Sequence, residues 1–273
     1  MAITTVDGVI AGMRAPELIR KDGAAMEQIG SYHSFFYTTG RPGAAAAPAP
    51  GINGAALTTY AGQVPFTNPV SGNTYLARLA AAASTPGTLL LVDRLWHNSG
   101  IVVTTTTAQT ITFPGLPARS SDGTANGEGV MIGLEVVTAT TNVAANTTMT
   151  ASYTNQAGTA GKTATVGAVA PAAFPATAVA GTFQPFDLAA GDTGVRSVQS
   201  ITLAVSLVTG SVSLVAYRVL ATVGLSVANV ESAVDAVTGG FPVMYNNSVP
   251  FLLWLPTATT ALTLGAQVIY TQG

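Results

Sequence analysis

Residues 197–217 read SVQSITLAVSLVTGSVSLVAY and carry no charge. Ile201, Leu203, Val205 and Leu207 alternate with Thr202, Ala204 and Ser206. Thr209-Gly210 interrupts, and Val212, Leu214 and Ala216 resume the alternation. A period of two places every second side chain on one face of an extended strand, and a Gly break between two such runs predicts a β-hairpin. The run is long enough for a membrane helix, which needs ~20 apolar residues, but an apolar helix does not alternate. Two other uncharged runs fail differently: 136–161 is rich in Thr, Asn and Ser, and 163–186 holds Pro171, Pro175 and Pro185. An outer-membrane barrel shares the alternation, but its aromatic girdles have no counterpart in a thin, spread 7% aromatic content.

The whole chain has the same character. Only 8% of its 273 residues are charged, against ~25% in an ordinary soluble protein. Ala (46) and Thr (39) together fill 85 positions. Disorder requires low hydrophobicity and high charge, the reverse of this composition. With no cysteine, disulfides and thiolate metal sites are excluded. Ten cations spread over the full length make no basic field for nucleic acid. The start, MAITTVDGVIAGMRAPE, carries Asp7 and Glu17 and no basic segment before an apolar core, so no signal peptide is expected. A weakly charged surface protects poorly against sticking, and permanent subunit contacts would hide it.

The first 54 residues differ from the rest. Eight of the 22 charges fall between residues 7 and 41. Pro16 before Glu17-Leu18-Ile19-Arg20 predicts a short helix, ended by Lys21-Asp22-Gly23. The stretch GRPGAAAAPAPGING (40–54) is expected to be an extended strap lying on a partner. We therefore expect an arm over 1–54 and a body over 55–273. In the body, strands are expected at 55–60, 88–96, 101–106, 130–140, 147–154, 163–169, 183–186, 195–208, 211–226, 241–245, 251–255 and 262–271, with a helix at 74–83 and an ambiguous segment at 230–237. Such short strands between Gly/Asn/Asp turns predict an all-β fold, a β-sandwich or jelly roll, with an N-terminal extended arm containing a short helix.

Candidate chemical sites are weak. GTAGKT (158–163) lacks the first glycine of a phosphate loop, Gln156 standing in its place, and no helix is expected after it. The loop from Asp122 to Glu128 has two acids, too few for a calcium loop. His33 and His97 are the only histidines, so a three-His zinc site is impossible. Asp93 and His97 share a strand with Ser99 just beyond it, which is not the mutually facing geometry of a catalytic triad. Glu128 and Glu135 are the carboxylates a glycosidase would pair, without an aromatic platform beside them. Asp93, Arg94, Arg119, Arg196 and Arg218 are isolated charges in apolar segments, where the arginines are expected to meet carboxylates inside the fold or across subunits, with Glu128, Glu135, Asp187 and Asp192 as the available acids. Tyr32, Phe35, Phe36 and Tyr37 form an aromatic cluster in the arm and, with Arg14, Arg20 and Arg41, are the expected interface residues.

The stretches PARSSDGTANGEGVMIGLEV, ASYTNQAGTAGKTA and FQPFDLAAGDTGVRSVQSITLAVSLVTGSVSLVAYRVL resemble tailed-bacteriophage virion proteins of β-sandwich build that sit on or beside the head. The resemblance covers 55–273 and lies in general character rather than in a sharp motif, with Thr/Ala/Gly-rich strands, an AGD-G-V turn and sparse charge. It implies a non-enzymatic head decoration or cement protein, made in a host bacterial cytoplasm and carried in the virion. Its expected partners are copies of itself, as a dimer or trimer, and the major capsid protein or other virion proteins, with no cofactor, metal, nucleic acid or membrane. A collar, neck or tail component, or a receptor- or glycan-binding fibre module, is the alternative.

Overall fold

The computed structural model describes residues 3, 5–24, 29–166, 173–240 and 242–273. In chain order its elements are α1 (Val6–Ala11), β1 (Glu17–Ala24), β2 (Tyr32–Ser34), a 3-10 turn (Phe35–Tyr37), β3 (Gly40–Arg41), β4 (Ala55–Ala56), β5 (Thr74–Ala83), β6 (Gly87–His97), β7 (Gln109–Thr110), β8 (Val130–Thr138), β9 (Thr150–Asn155) and β10 (Lys162–Val166). There follow β11 (Thr182–Asp187), β12 (Val195–Thr202), β13 (Ser211–Leu225), β14 (Ser232–Asp235), α2 (Ala236–Gly239), β15 (Val243–Met244), β16 (Pro250–Pro256) and β17 (Leu262–Gln272). The fold is all-β, and its strands make two sheets.

The smaller sheet runs β14-β5-β17-β1-β3, with β15 also on β5. The larger runs β2-β16-β6-β13-β8-β11-β10-β9-β12-β7, with β4 beside β6. Strand β2 pairs with both β16 and β11, which closes β2, β16, β6, β13, β8 and β11 into a barrel. Closure removes the open edges that a curled sheet would otherwise expose.

Alternation along the two longest barrel strands supplies three cores. Leu90 and Val92 of β6 cluster with Val215 and Tyr217 of β13, Phe183 of β11, and Phe251 and Leu253 of β16, with Tyr32 of β2 and Met131 of β8 against them. Every barrel strand contributes, so this cluster fills the lumen, and Phe36 plugs it. The opposite face of the same strands is shared. Leu89, Leu91, Leu220, Leu252 and Trp254 pack on Leu76, Leu79, Leu264 and Val268 of the smaller sheet. Leu95, Ile132, Leu134, Leu214 and Ala216 pack on Tyr153, Val198 and Ile201 of the limb that folds back through β9 and β12. The barrel is thus covered on two sides, and 10 of the 11 residues of β6 are buried.

Several expectations are corrected. The expected hairpin over 197–217 does not form. Strand β12 bonds to β9 and β7, while β13 bonds to β8 and β6. Ile201, Leu203, Leu207, Leu214 and Ala216 are all in one core cluster, so the two runs meet face to face rather than edge to edge. Their connection is irregular, with Ala204 (φ 61) and Val208 (φ 67) in the left-handed region. The helix expected at Pro16 is strand β1, because Ile19 and Lys21 turn inward while Leu18 and Arg20 face out. The arm's helix lies earlier, at α1, where the Thr5 hydroxyl accepts from the Gly8 N–H at 3.1 Å. Residues 74–83 are also strand: pairing with β17 and β14 overrides the helix preference of the alanines. Residues 101–106 contain no strand, and the strand expected at 55–60 shrinks to β4. The ambiguous 230–237 divides between β14 and α2. Residues 167–169 and Phe241, which belonged to expected strands, lie outside the described residues.

The strap is held at several points by its own chain. Ala45 N–H donates to Phe36 O at 2.7 Å, Trp96 Nε1 to Asn53 O at 3.2 Å and Asn98 Nδ2 to Ile52 O at 3.0 Å. Tyr60, just past the strap, stacks on Phe36 with centroids 5.2 Å apart.

Candidate docking surface

Strand β1 lies between β17 and the short β3, so most of its outer length is uncovered. Its inward residues anchor it. Ile19 is buried, and Lys21 is 2% exposed, with Nζ donating to Thr38 O at 3.0 Å and Pro42 O at 2.6 Å. Burial without a carboxylate beside it lowers the Lys21 pKa to about 8. The outward residues are Leu18, Arg20 and Asp22. Leu18 is 54% exposed, and Arg20 stands directly opposite Arg41 across the β1–β3 pair. Like charges facing each other on neighbouring strands destabilise a sheet. Asp22 sits 3.0 Å from Arg20, while Arg41 and Arg14 make no ion pair among the described residues.

The helix before β1 adds apolar surface. No residue of α1 is buried; Val6 and Ile10, at i and i+4, are exposed on one face of it, and Met13 just beyond, in a β-bridge with Thr271, is exposed as well. Its attachments run through the backbone and the last strand: Thr271 Oγ1 donates to Val9 O at 2.7 Å and Arg14 N–H to Tyr270 O at 2.9 Å. A Cβ on Gly12 would lie 2.3 Å from Gln272 O, so only glycine permits this approach.

Of the expected interface residues, Arg14, Arg20 and Arg41 are exposed here, and Tyr32 and Tyr37 are half-buried. Phe35 and Phe36 are each 1% exposed and belong to the chain's own cores, which corrects their expected place on a surface. Of the two readings of this cluster, a binding platform or an anchor seating the arm in a groove, the sequence favours the anchor, and the burial of Phe35 and Phe36 fits it.

Two of the four isolated arginines, Arg94 and Arg119, pair with carboxylates within the chain. Arg218 Nη2 donates to Val243 O at 3.0 Å, and Arg218, like Arg196, makes no ion pair among the described residues. Arg94 Nη2 lies 2.7 Å from Glu135 Oε2 in the lumen, both side chains 0% exposed. The Tyr37 hydroxyl donates to the same oxygen at 3.0 Å, Arg94 Nε to His97 Nδ1 at 3.1 Å, and the guanidinium lies 4.2 Å over the Phe36 ring. Burial, and then the Arg94 charge, lower the His97 pKa to about 3, and burial lowers that of His33 to about 4. Both imidazoles are therefore neutral at pH 7. Arg119 meets Asp93 at 3.0 Å, also buried. With Glu135 sealed against Arg94, the Glu128–Glu135 pair considered for glycoside hydrolysis is not available to solvent. Asp122 accepts from Thr124 N–H at 3.0 Å and from Asn126 Nδ2 at 2.8 Å, so its loop is closed on itself. Among the described residues no group of three or more His, Asp or Glu side chains is placed to hold a metal ion, and no helix is long and apolar enough to cross a membrane.

No protein-family model matches the chain, and no curated protein does. Among solved structures it is similar to the VP2 subviral particle of infectious bursal disease virus, at 11% identity over 95% of this chain and 80% of that one, with a TM-score of 0.18. It is also similar to T=1 particles derived from infectious bursal virus, at 12% identity over 96% and 79%, again with a TM-score of 0.18. Likenesses this slight carry no argument for fold or function.

Proposed function

We propose that the chain is a non-enzymatic structural component of a tailed-phage particle, assembling with copies of itself and binding the head surface through its N-terminal face. The observation that carries the reading is the outer edge of the smaller sheet. Arg20 and Arg41 oppose each other in the open, beside exposed Leu18 and an α1 with nothing buried. Two guanidinium groups in that register are relieved by a carboxylate-bearing partner, and the apolar side chains around them supply the area to desolvate. The 8% charge of the whole chain fits a protein whose surface is covered by neighbours.

The test is to locate the protein in purified particles by electron cryomicroscopy and to measure rebinding to stripped particles. Arg20→Glu with Arg41→Glu is expected to weaken rebinding about tenfold or more, ~1.4 kcal/mol, and raised salt to weaken the wild type. Absence of the protein from virions, or rebinding indifferent to both changes, overturns the reading.

A further inference from the structure

Residues 58–73, TTYAGQVPFTNPVSGN, form no strand or helix until Thr74 opens β5, yet they are pinned at many points. Val64 N–H donates to Pro250 O at 2.8 Å, and Gln272 Nε2 donates to Thr67 O at 2.9 Å. Asn68 and Asn247 bond reciprocally: Asn68 Nδ2 donates to Asn247 Oδ1 at 2.8 Å, and Asn247 N–H donates to Asn68 Oδ1 at 2.7 Å. Long irregular segments held this firmly in compact domains are typically functional.

Three cavities adjoin along this segment. One of about 410 Å³ and one of about 370 Å³ share Thr58 and Asn247 in their walls. A third, also about 370 Å³, shares Thr67 and Asn68 with the second. Thr58, Thr59, Thr67 and Asn246 line this groove, and their side chains make no hydrogen bond among the described residues. Phe66 and Tyr245 add ring surface to the walls. The first two cavities offer no free charge. Their one charged residue, Arg119, uses its guanidinium on Asp93 and on the carbonyls of Leu57, Arg94 and Asn247.

We infer that the part of this groove formed by the first two cavities is a binding site for a neutral oligosaccharide. Amides and hydroxyls that both donate and accept match the vicinal hydroxyls of a sugar ring, and aromatic rings match its C–H faces. An acidic saccharide would need an unpaired cation, which the first two cavities lack. An apolar ligand would need deeper enclosure than walls of exposed Thr and Asn provide. A pinned groove loses little entropy on binding. No residue lining the first two cavities belongs to the N-terminal face, so the site stands independently of the head-binding role.

The full-length protein should be screened on an array of neutral and acidic saccharides, and hits titrated by calorimetry. Saturable binding to a neutral saccharide is expected. It should weaken tenfold or more, ~1.4 kcal/mol, in Thr58→Ala with Asn246→Ala, with the unfolding midpoint unchanged because both residues are exposed and neither side chain makes a hydrogen bond among the described residues. The Arg20→Glu, Arg41→Glu protein should bind the saccharide as wild type does. The inference is overturned by binding to no neutral saccharide, by binding to acidic ones alone, or by affinity that survives the groove changes. Loss of saccharide binding in the arginine variant also overturns it, by moving the site to the N-terminal face.

Discussion

The pairs Arg94–Glu135 and Arg119–Asp93 show how differently two buried ion pairs can be provided for. Asp93 receives Arg119 Nε at 3.0 Å, Ser248 Oγ at 3.1 Å and Val249 N–H at 2.8 Å, so its carboxylate is well solvated by the protein. In the lumen, Arg94 Nη1 and Glu135 Oε1 have no hydrogen-bond partner among the described residues. Removing one member of such a pair strands the other charge, whereas replacing both with apolar groups removes the desolvation cost together with the attraction. Glu135→Ala is therefore expected to cost ~3–5 kcal/mol, and Arg94→Met with Glu135→Leu to restore most of it, measured by denaturant unfolding. The buried titratable groups set the pH response. His33 and His97 have folded pKa values below the ordinary 6.5, so the unfolded chain binds more protons between pH 6.5 and about 4, and stability falls as pH drops through that window. Lys21, at about 8 against 10.5, makes stability rise with pH between those values. Tyr153 opposes it from pH 10 upward: burial and the bond to Asp192 raise its pKa to about 12, so stability is lost as pH climbs towards that value. Lys21→Met should abolish the rise above pH 8 in thermal melts taken across this range.

At the level of elements, α1 has the least to do with the core. It buries no residue, and the first core side chain of the chain is Ile19 in β1. Deleting residues 1–11 is expected to leave the unfolding midpoint nearly unchanged while weakening rebinding to stripped particles. A large fall in the midpoint would mean that the helix is structural. The elements also show where sequence reading stops. The segments 88–96, 130–140 and 262–271 were legible and each became a strand, because runs of apolar and β-branched residues bounded by turn residues mark extended segments. The alanine-rich 74–83 was not legible as strand: alanine favours helix locally, and only the neighbours β14 and β17 make it extended. Arg14, Arg20 and Arg41 were legible as surface from their charge, but the Thr/Asn groove was not, since its walls come from residues 58–73 and 245–248, far apart in sequence.

Considered as one molecule, the N-terminal 54 residues are woven through both sheets. Strand β1 pairs with the last strand, β17, and β2 closes the barrel between β16 and β11. Gly181 permits that closure: a Cβ there would lie 2.5 Å from the His33 ring. A chain starting at residue 55 would lack β1, β2, Phe35 and Phe36, and is expected to show no cooperative unfolding transition by calorimetry. A sharp transition in that fragment would establish 55–273 as a body that folds alone. By itself, the sequence determined the all-β class, the faces of its long strands and the scarcity of charge, because hydrophobic periodicity is written locally. Only the tertiary structure decided which strands are neighbours, that the two runs of 197–217 face each other rather than pair, and that Phe36 and the strap plug a barrel. Alternation records which side of a strand is apolar but not which strand lies beside it; that choice is made by the joint packing of side chains from the whole chain.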